Sequence, residues 1–220
     1  KGQGILPPKS AAQVECEILD LRWKSLSSVI QSLGVIKEKQ LEIQNEVIDI
    51  LMIGNRMVVV EISKLKVKSI MKAWLRHLQA SAYGKEPPNE TLIICRSNSN
   101  TKSNKYEVSL RFNRIQKSKA QTILLKLSSF VEQGILRCWP IPPESGWELA
   151  KARYENKKNP DLFFKRKWNG GYKRPGEKET PVMIICFGED YESENFLGNN
   201  YFEECYKALY DPLFENLNFL

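Results

Sequence analysis

Chemically versatile side chains are scarce in this chain of 220 residues. It holds one histidine, His77, and five cysteines, Cys16, Cys95, Cys138, Cys186 and Cys205, with no CxxC pair among them. That leaves no zinc framework, and an odd set of widely spaced thiols reads as a reduced, cytoplasmic setting. No GxxxxGK[ST] segment is present, so any ATP-driven motor activity must come from partners. No apolar run approaches the ~20 residues a membrane span needs, and no basic-then-apolar leader opens the chain, so no membrane role is expected. The opening KGQGILPPKS reads as a segment entered partway through something longer.

Hydrophobic residues make up 42% and charged residues 27%, enough to bury a core in an ordinary globular domain. The net charge of +7 is unevenly spread. Residues 56–76 carry six basic side chains against Glu61, residues 96–126 eight against Glu107, and residues 151–178 ten against three acids. Residues 179–220 reverse the sign, with nine acids and only Lys207. A basic middle and an acidic end point to a polyanion on one surface and a basic protein partner on another. Each run taken singly reads equally well as a solvated face.

Ser10-Ala-Ala-Gln13 has the form of a capping box, opening a helix that carries Val14, Ile18, Leu21 and Val29 at helical spacing until Gly34. Residues 47–53 and 57–62 are rich in β-branched side chains and are separated by Gly54-Asn55, which predicts a tight hairpin. KLKVKSIMKAWLRHLQASAYG places Val67, Ile70, Met71, Trp74, Leu75 and Leu78 on one helical face and Lys66, Lys68, Lys72 and Arg76 largely elsewhere. Trp74 is a core residue on this pattern, and His77 a packed histidine rather than a general base. Strands are expected over 91–96 and 106–112, then a helix from a second capping box at 113–116 to about residue 133. Beyond residue 137 the chain turns rich in proline, glycine, lysine and aromatics. Short helices are predicted there, one capped by Ser145 with Glu148 and one opening at Asn159-Pro160, followed by a helical acidic tail.

The stretch VIDILMIGNRMVVVEISK (47–64) resembles the working centre of PD-(D/E)xK nucleases. There, two carboxylates on neighbouring strands hold magnesium and a lysine two residues after the second acid orients the attacking water. Asp49 and Glu61 occupy the acid positions, but Ser63 stands where the lysine belongs. Strand alternation puts Lys64 on the face opposite Glu61 and Ser63, so it could serve as a fallback only through a bulge. The expected fold is therefore an α/β (α+β) restriction-endonuclease-like core over 1–136, with a mixed central sheet flanked by helices. An extension over 137–220, basic across 151–178 and acidic across 179–220, packs on it in one globular unit. Asp49, Glu61 and Ser63 form a degenerate pseudo-site without metal or other cofactor. The alternative keeps Asp49 and Glu61 as magnesium ligands of an active nuclease.

Several blocks, in order, resemble the RecC family, the gamma subunits of exodeoxyribonuclease V: ILPPKSAAQVE, KLKVKSIMKAWLRHLQASAYG, RCWPIPPESGWELAKARYE, KWNGGYKRPGE and ALYDPLFENL. The resemblance implies the C-terminal, nuclease-like domain of that subunit, which lacks the catalytic residues. It implies a role in scaffolding the RecBCD helicase–nuclease with RecB-like and RecD-like subunits, and contact with DNA, as a duplex end or single strand, during unwinding and recombinational repair. Two departures stand out. Glu61 is retained where the family pattern is usually degenerate, and Lys-Arg-Pro-Gly-Glu replaces Arg-Gly-Glu, leaving the role of Glu177 open.

Sequence-independent DNA contact needs cations at phosphate spacing and aromatics on which bases stack. The candidates are Lys66, Lys68, Lys72 and Arg76, and, in the aromatic-interleaved run, Lys165, Arg166, Lys167, Trp168, Lys173 and Arg174. Phe163 and Phe164 read more naturally as core anchors. A plain protein-interaction domain, its basic face serving only solvation, is the third reading.

Overall fold

The computed structural model describes residues 10–43, 46–97, 104–134, 136–172 and 174–220. A long helix, α1 (Ser10–Leu33), leads into three antiparallel strands, β1 (Ile36–Ile43), β2 (Glu46–Ile53) and β3 (Arg56–Lys64). Helix α2 (Val67–Tyr83) crosses over to β4 (Glu90–Arg96), parallel to β3, and β5 (Tyr106–Asn113) returns antiparallel beside it. Then come α3 (Lys117–Gly134), α4 (Pro143–Tyr154), α5 (Pro160–Asn169) and a small ribbon of β6 (Gly170–Gly171) with β7 (Arg174–Pro175). Helices α6 (Pro181–Phe187) and α7 (Asn200–Asn216) precede β8 (Leu217–Phe219), which pairs with β5. The main sheet runs β1-β2-β3-β4-β5-β8, a mixed sheet with helices on both faces.

Alternation along the strands sorts the two faces. Ile53, Val58, Ile94 and Tyr106 lie under the C-terminal half of α1, against Leu26, Val29, Ile30 and Leu33. Met52, Met57 and Leu41 pack on the other face with Ala80 of α2. The largest cluster also lies there, where Ile93, Leu110 and Phe112 meet α2, α3, α4 and α7. A register shift at Ile93/Ile94 leaves Ser109 unmatched, which lets Val108 face α1 while Leu110 faces α2. Helices α4, α5 and α7 share that cluster with the strands, and β8 pairs with β5.

The hairpin arises as expected: Gly54 takes φ +60° in a two-residue loop, and Ile53 pairs with Arg56 across it. The apolar stripe of α2 is buried, with Trp74 and Leu78 almost wholly excluded from solvent, although Leu75 lies on the exposed side. One strand goes unread in the sequence and two expectations fail. β1, with the polar sequence IKEKQLEI, is a strand that the hydrophobic pattern does not reveal. Asn113 ends β5 and bonds to Asn218 instead of capping α3. Ser145 lies inside α4, which opens on Pro143, so it is not the helix cap.

His77 is buried between Trp74 and Phe112, with Nδ1 2.7 Å from the Thr91 hydroxyl. Burial pulls its pKa down to about 4, partly offset by the Asn113 backbone. The folded state therefore resists protonation that the unfolded chain accepts from its ordinary value of 6.5. Stability from this residue is complete above that pH and drains away towards pH 4. Relative to His77→Gln, the parent should lose about 3 kcal/mol over this window in urea titrations at stepped pH. Parallel curves for the two proteins would refute the assignment.

Candidate functional site

The acids of the pseudo-site sit on opposite faces of the sheet. Asp49 shares its side of β2 with Leu51 and Ile53, which pack under α1. It pairs with Gln40 of β1, whose amide donates to Asp49 Oδ1 at 3.3 Å. Glu61 continues the side of β3 that carries Met57 and Val59 towards α2. There its Oε2 accepts from the Ser69 hydroxyl on the first turn of α2 at 2.5 Å, and its Oε1 accepts from the Ser63 N–H and hydroxyl at 3.1 and 2.9 Å. The Ser69 hydroxyl holds the Glu61 carboxyl below the usual range, against the opposing effect of partial burial. No side chain of Lys66 caps α2, so this carboxylate supplies negative charge at that N-terminus.

Glu61 thus ties the end of β3 to the start of α2. This geometry holds the carboxylates of Asp49 and Glu61 on opposite sides of the sheet, so they do not face a common space in which one magnesium ion would meet both. Among the described residues, no group of three or more His, Cys, Asp or Glu side chains is placed to hold a metal. The register irregularity that Lys64 would need does occur between Val60 and Lys64, but Glu61 remains committed to Ser63 and Ser69. Ser63 is a local partner of Glu61.

The basic candidates divide into two places. On α2, Lys68 and Lys72 are exposed and Arg76 is half-buried, a ridge with roughly 6 Å between successive residues, and none is ion-paired among the described residues. Lys66 is exposed just before the helix, within electrostatic reach of Glu61. Near α5 the candidates are less uniform. Lys165 pairs with Glu194 at 2.6 Å and Lys167 with Glu144 at 3.3 Å, so both are partly neutralised. Trp168 cannot offer its ring to a base: it is 1% exposed, stacks among Phe164, Phe187 and Phe196, and donates Nε1–H to the Tyr191 carbonyl at 3.0 Å. Phe164 is fully buried, as expected of a core anchor. Arg166 and Arg174 are exposed, and Lys173 lies outside the described residues.

Tyr172, an aromatic that the sequence places among the basic residues of this run, is fully exposed beside Arg174, whereas the tryptophan of the same run is buried. One feature is not evident from the sequence. Glu177 is buried and reaches α4 from 32 residues away. Its Oε1 accepts from the Glu144 N–H at 2.9 Å, and its Oε2 from the Ser145 N–H and hydroxyl, both at 2.6 Å. With Pro142 at the cap position, α4 has no local acceptor for these donors, and Glu177 serves in its place. The one signal in the sequence is the double proline, which cannot cap.

The fold and these residues define a mixed-sheet α/β domain in which Glu61 joins the end of β3 to the start of α2. The family model for the RecC C-terminal domain matches residues 1–154, and the chain belongs to that family. The family is that of a subunit of RecBCD-type complexes, exodeoxyribonuclease V, which act in DNA repair. The match ends before the KWNGGYKRPGE and ALYDPLFENL blocks. No curated protein matches the chain. Among the described residues, no helix is long and apolar enough to cross a membrane.

Proposed function

We propose that this domain is a non-catalytic nuclease-fold module that scaffolds a RecBCD-type helicase–nuclease and holds DNA during unwinding of a double-strand end. The observation that carries the reading is the placement of Asp49 and Glu61 on opposite faces, with Glu61 engaged by Ser63 and Ser69. The element order α1-β1-β2-β3-α2-β4 supports a PD-(D/E)xK ancestry for the core. Residues 1–136 and 137–220 act as one unit in this proposal, docking RecB-like and RecD-like subunits. DNA meets the α2 ridge and the exposed arginines near α5 through phosphate contacts, without sequence preference.

Two measurements test it. Supercoiled plasmid incubated with magnesium should remain intact with or without EDTA; nicking that EDTA abolishes would return the active nuclease to first place. Binding to a labelled blunt duplex at low ionic strength should weaken steeply with added salt. The triple variant Lys68→Gln, Lys72→Gln, Arg76→Gln should make the log K against log salt plot shallower by about three units. Unchanged slopes would remove α2 from the interface. Partner binding with no DNA affinity at all would favour a plain interaction domain.

A further inference from the structure

The ribbon that follows α5 brings the backbones of two glycines into close approach. Gly170, at φ +69°, lies so close to Gly176 that a Cβ there would fall 2.3 Å from the Gly176 nitrogen. A Cβ on Gly176 would in turn fall 2.2 Å from the Trp168 carbonyl oxygen. Trp168 and Glu177, buried on either side of this close approach, fix both ends of the ribbon. Between these two glycines lies a fully exposed tyrosine, Tyr172. An aromatic ring open to solvent offers its face to a base.

Tyr172 borders an open cavity of about 480 Å3 whose wall includes Phe163, Arg166 and Arg174. That volume falls within the range of small-ligand sites, roughly 300–1,000 Å3. Arg166 and Arg174 supply donors suited to a phosphate, while Lys167 on the same wall is already paired with Glu144. Glu148 also lines the cavity, and its carboxylate disfavours a run of closely packed phosphates but offers an acceptor to a base N–H.

We propose that this cavity is a single-nucleotide subsite for single-stranded DNA, with one base stacked on Tyr172 and an adjoining phosphate held by Arg166 and Arg174. A duplex keeps its bases stacked within itself and gains nothing from the exposed ring, whereas a single strand does. The inference rests on the DNA-holding reading above and assigns part of it to one site.

The test uses the whole chain, a short fluorescent oligothymidine and a hairpin duplex, followed by anisotropy at low ionic strength. Tyr172→Ala should weaken oligothymidine binding about tenfold and leave the salt dependence unchanged, and Tyr172→Phe should bind like the parent. Arg166→Gln with Arg174→Gln should weaken binding and flatten the salt dependence by about 0.7 unit, the amount for one single-strand phosphate no longer neutralised. The duplex should be bound equally by the parent and by Tyr172→Ala. Unaltered oligothymidine binding by Tyr172→Ala, or an equal loss on the duplex, overturns the subsite and leaves the wider reading standing. A parent that binds no DNA even at low salt overturns both. Matching melting curves for parent and Tyr172→Ala are expected because the side chain is fully exposed.

Discussion

Glu177→Ala should cost the protein about 4 kcal/mol, one of the two largest losses expected from a single substitution here. The carboxylate takes three hydrogen bonds at the start of α4, two from backbone N–H groups and one from a hydroxyl. Bonds to a charged acceptor contribute about 1.5–3 kcal/mol each, and they share one side chain, so the sum is less than three times that. Alanine would also leave the Ser145 donors buried with no acceptor. Glu177→Gln keeps one acceptor oxygen but sets an amide N–H₂ against other donors, so its loss should fall in between. Urea unfolding gives the free energies, and amide exchange at Glu144 and Ser145 should quicken before the rest of the chain responds. A Glu177→Ala protein as stable as the parent would mean that α4 is capped by some other group.

Trp168→Ala separates two roles for the KRKW run by direct measurement. As a core residue, Trp168 should cost about 3–5 kcal/mol when truncated, through reduced burial and the cavity left among Phe164, Phe187 and Phe196. Trp168→Phe should cost less, losing mainly the bond to the Tyr191 carbonyl. The folded fraction of either variant should bind duplex DNA at low salt within about twofold of the parent, since the ring is not part of the phosphate-contacting surface. Intact stability with DNA affinity abolished would instead make Trp168 a stacking platform.

That residue also illustrates how far the sequence can be read. Phe164 and Trp168 are four apart on α5, so helical spacing alone puts them on one buried side, yet the surrounding lysines and arginines suggest a nucleic-acid motif. The hairpin holds a similar clue. With a two-residue loop, Ile53 faces Arg56, and strict alternation then sets Asp49 and Glu61 on opposite sides. Register arithmetic from Gly54-Asn55 is enough to show this without coordinates. The stripe on α2 is legible because its apolar residues recur at helical spacing, and strand 90–96 because its middle is a short, almost unbroken apolar run, as in a strand covered on both faces.

Other features are beyond local pattern. β1 buries only Leu41 fully, so its sequence lacks the hydrophobic alternation that marks a strand, and its pairing with β2 alone defines it. β8 is three residues long and takes its identity from β5. Glu177 cannot be matched to α4 from spacing, because it and Ser145 lie 32 positions apart and are brought together only by the folded extension. Capping boxes at 113–116 and 145–148 fit the residue types and fail on what lies around them, a strand end in one case and a proline-led helix in the other.

β1 is the outermost strand on its side of the sheet, and Lys37, Glu38, Lys39 and Glu42 stand exposed along it. An open ladder is a template on which a foreign strand can be laid, but any chain docking there would have to strip water from four ions of mixed sign. Fibre-like stacking of copies along this rim is thereby discouraged.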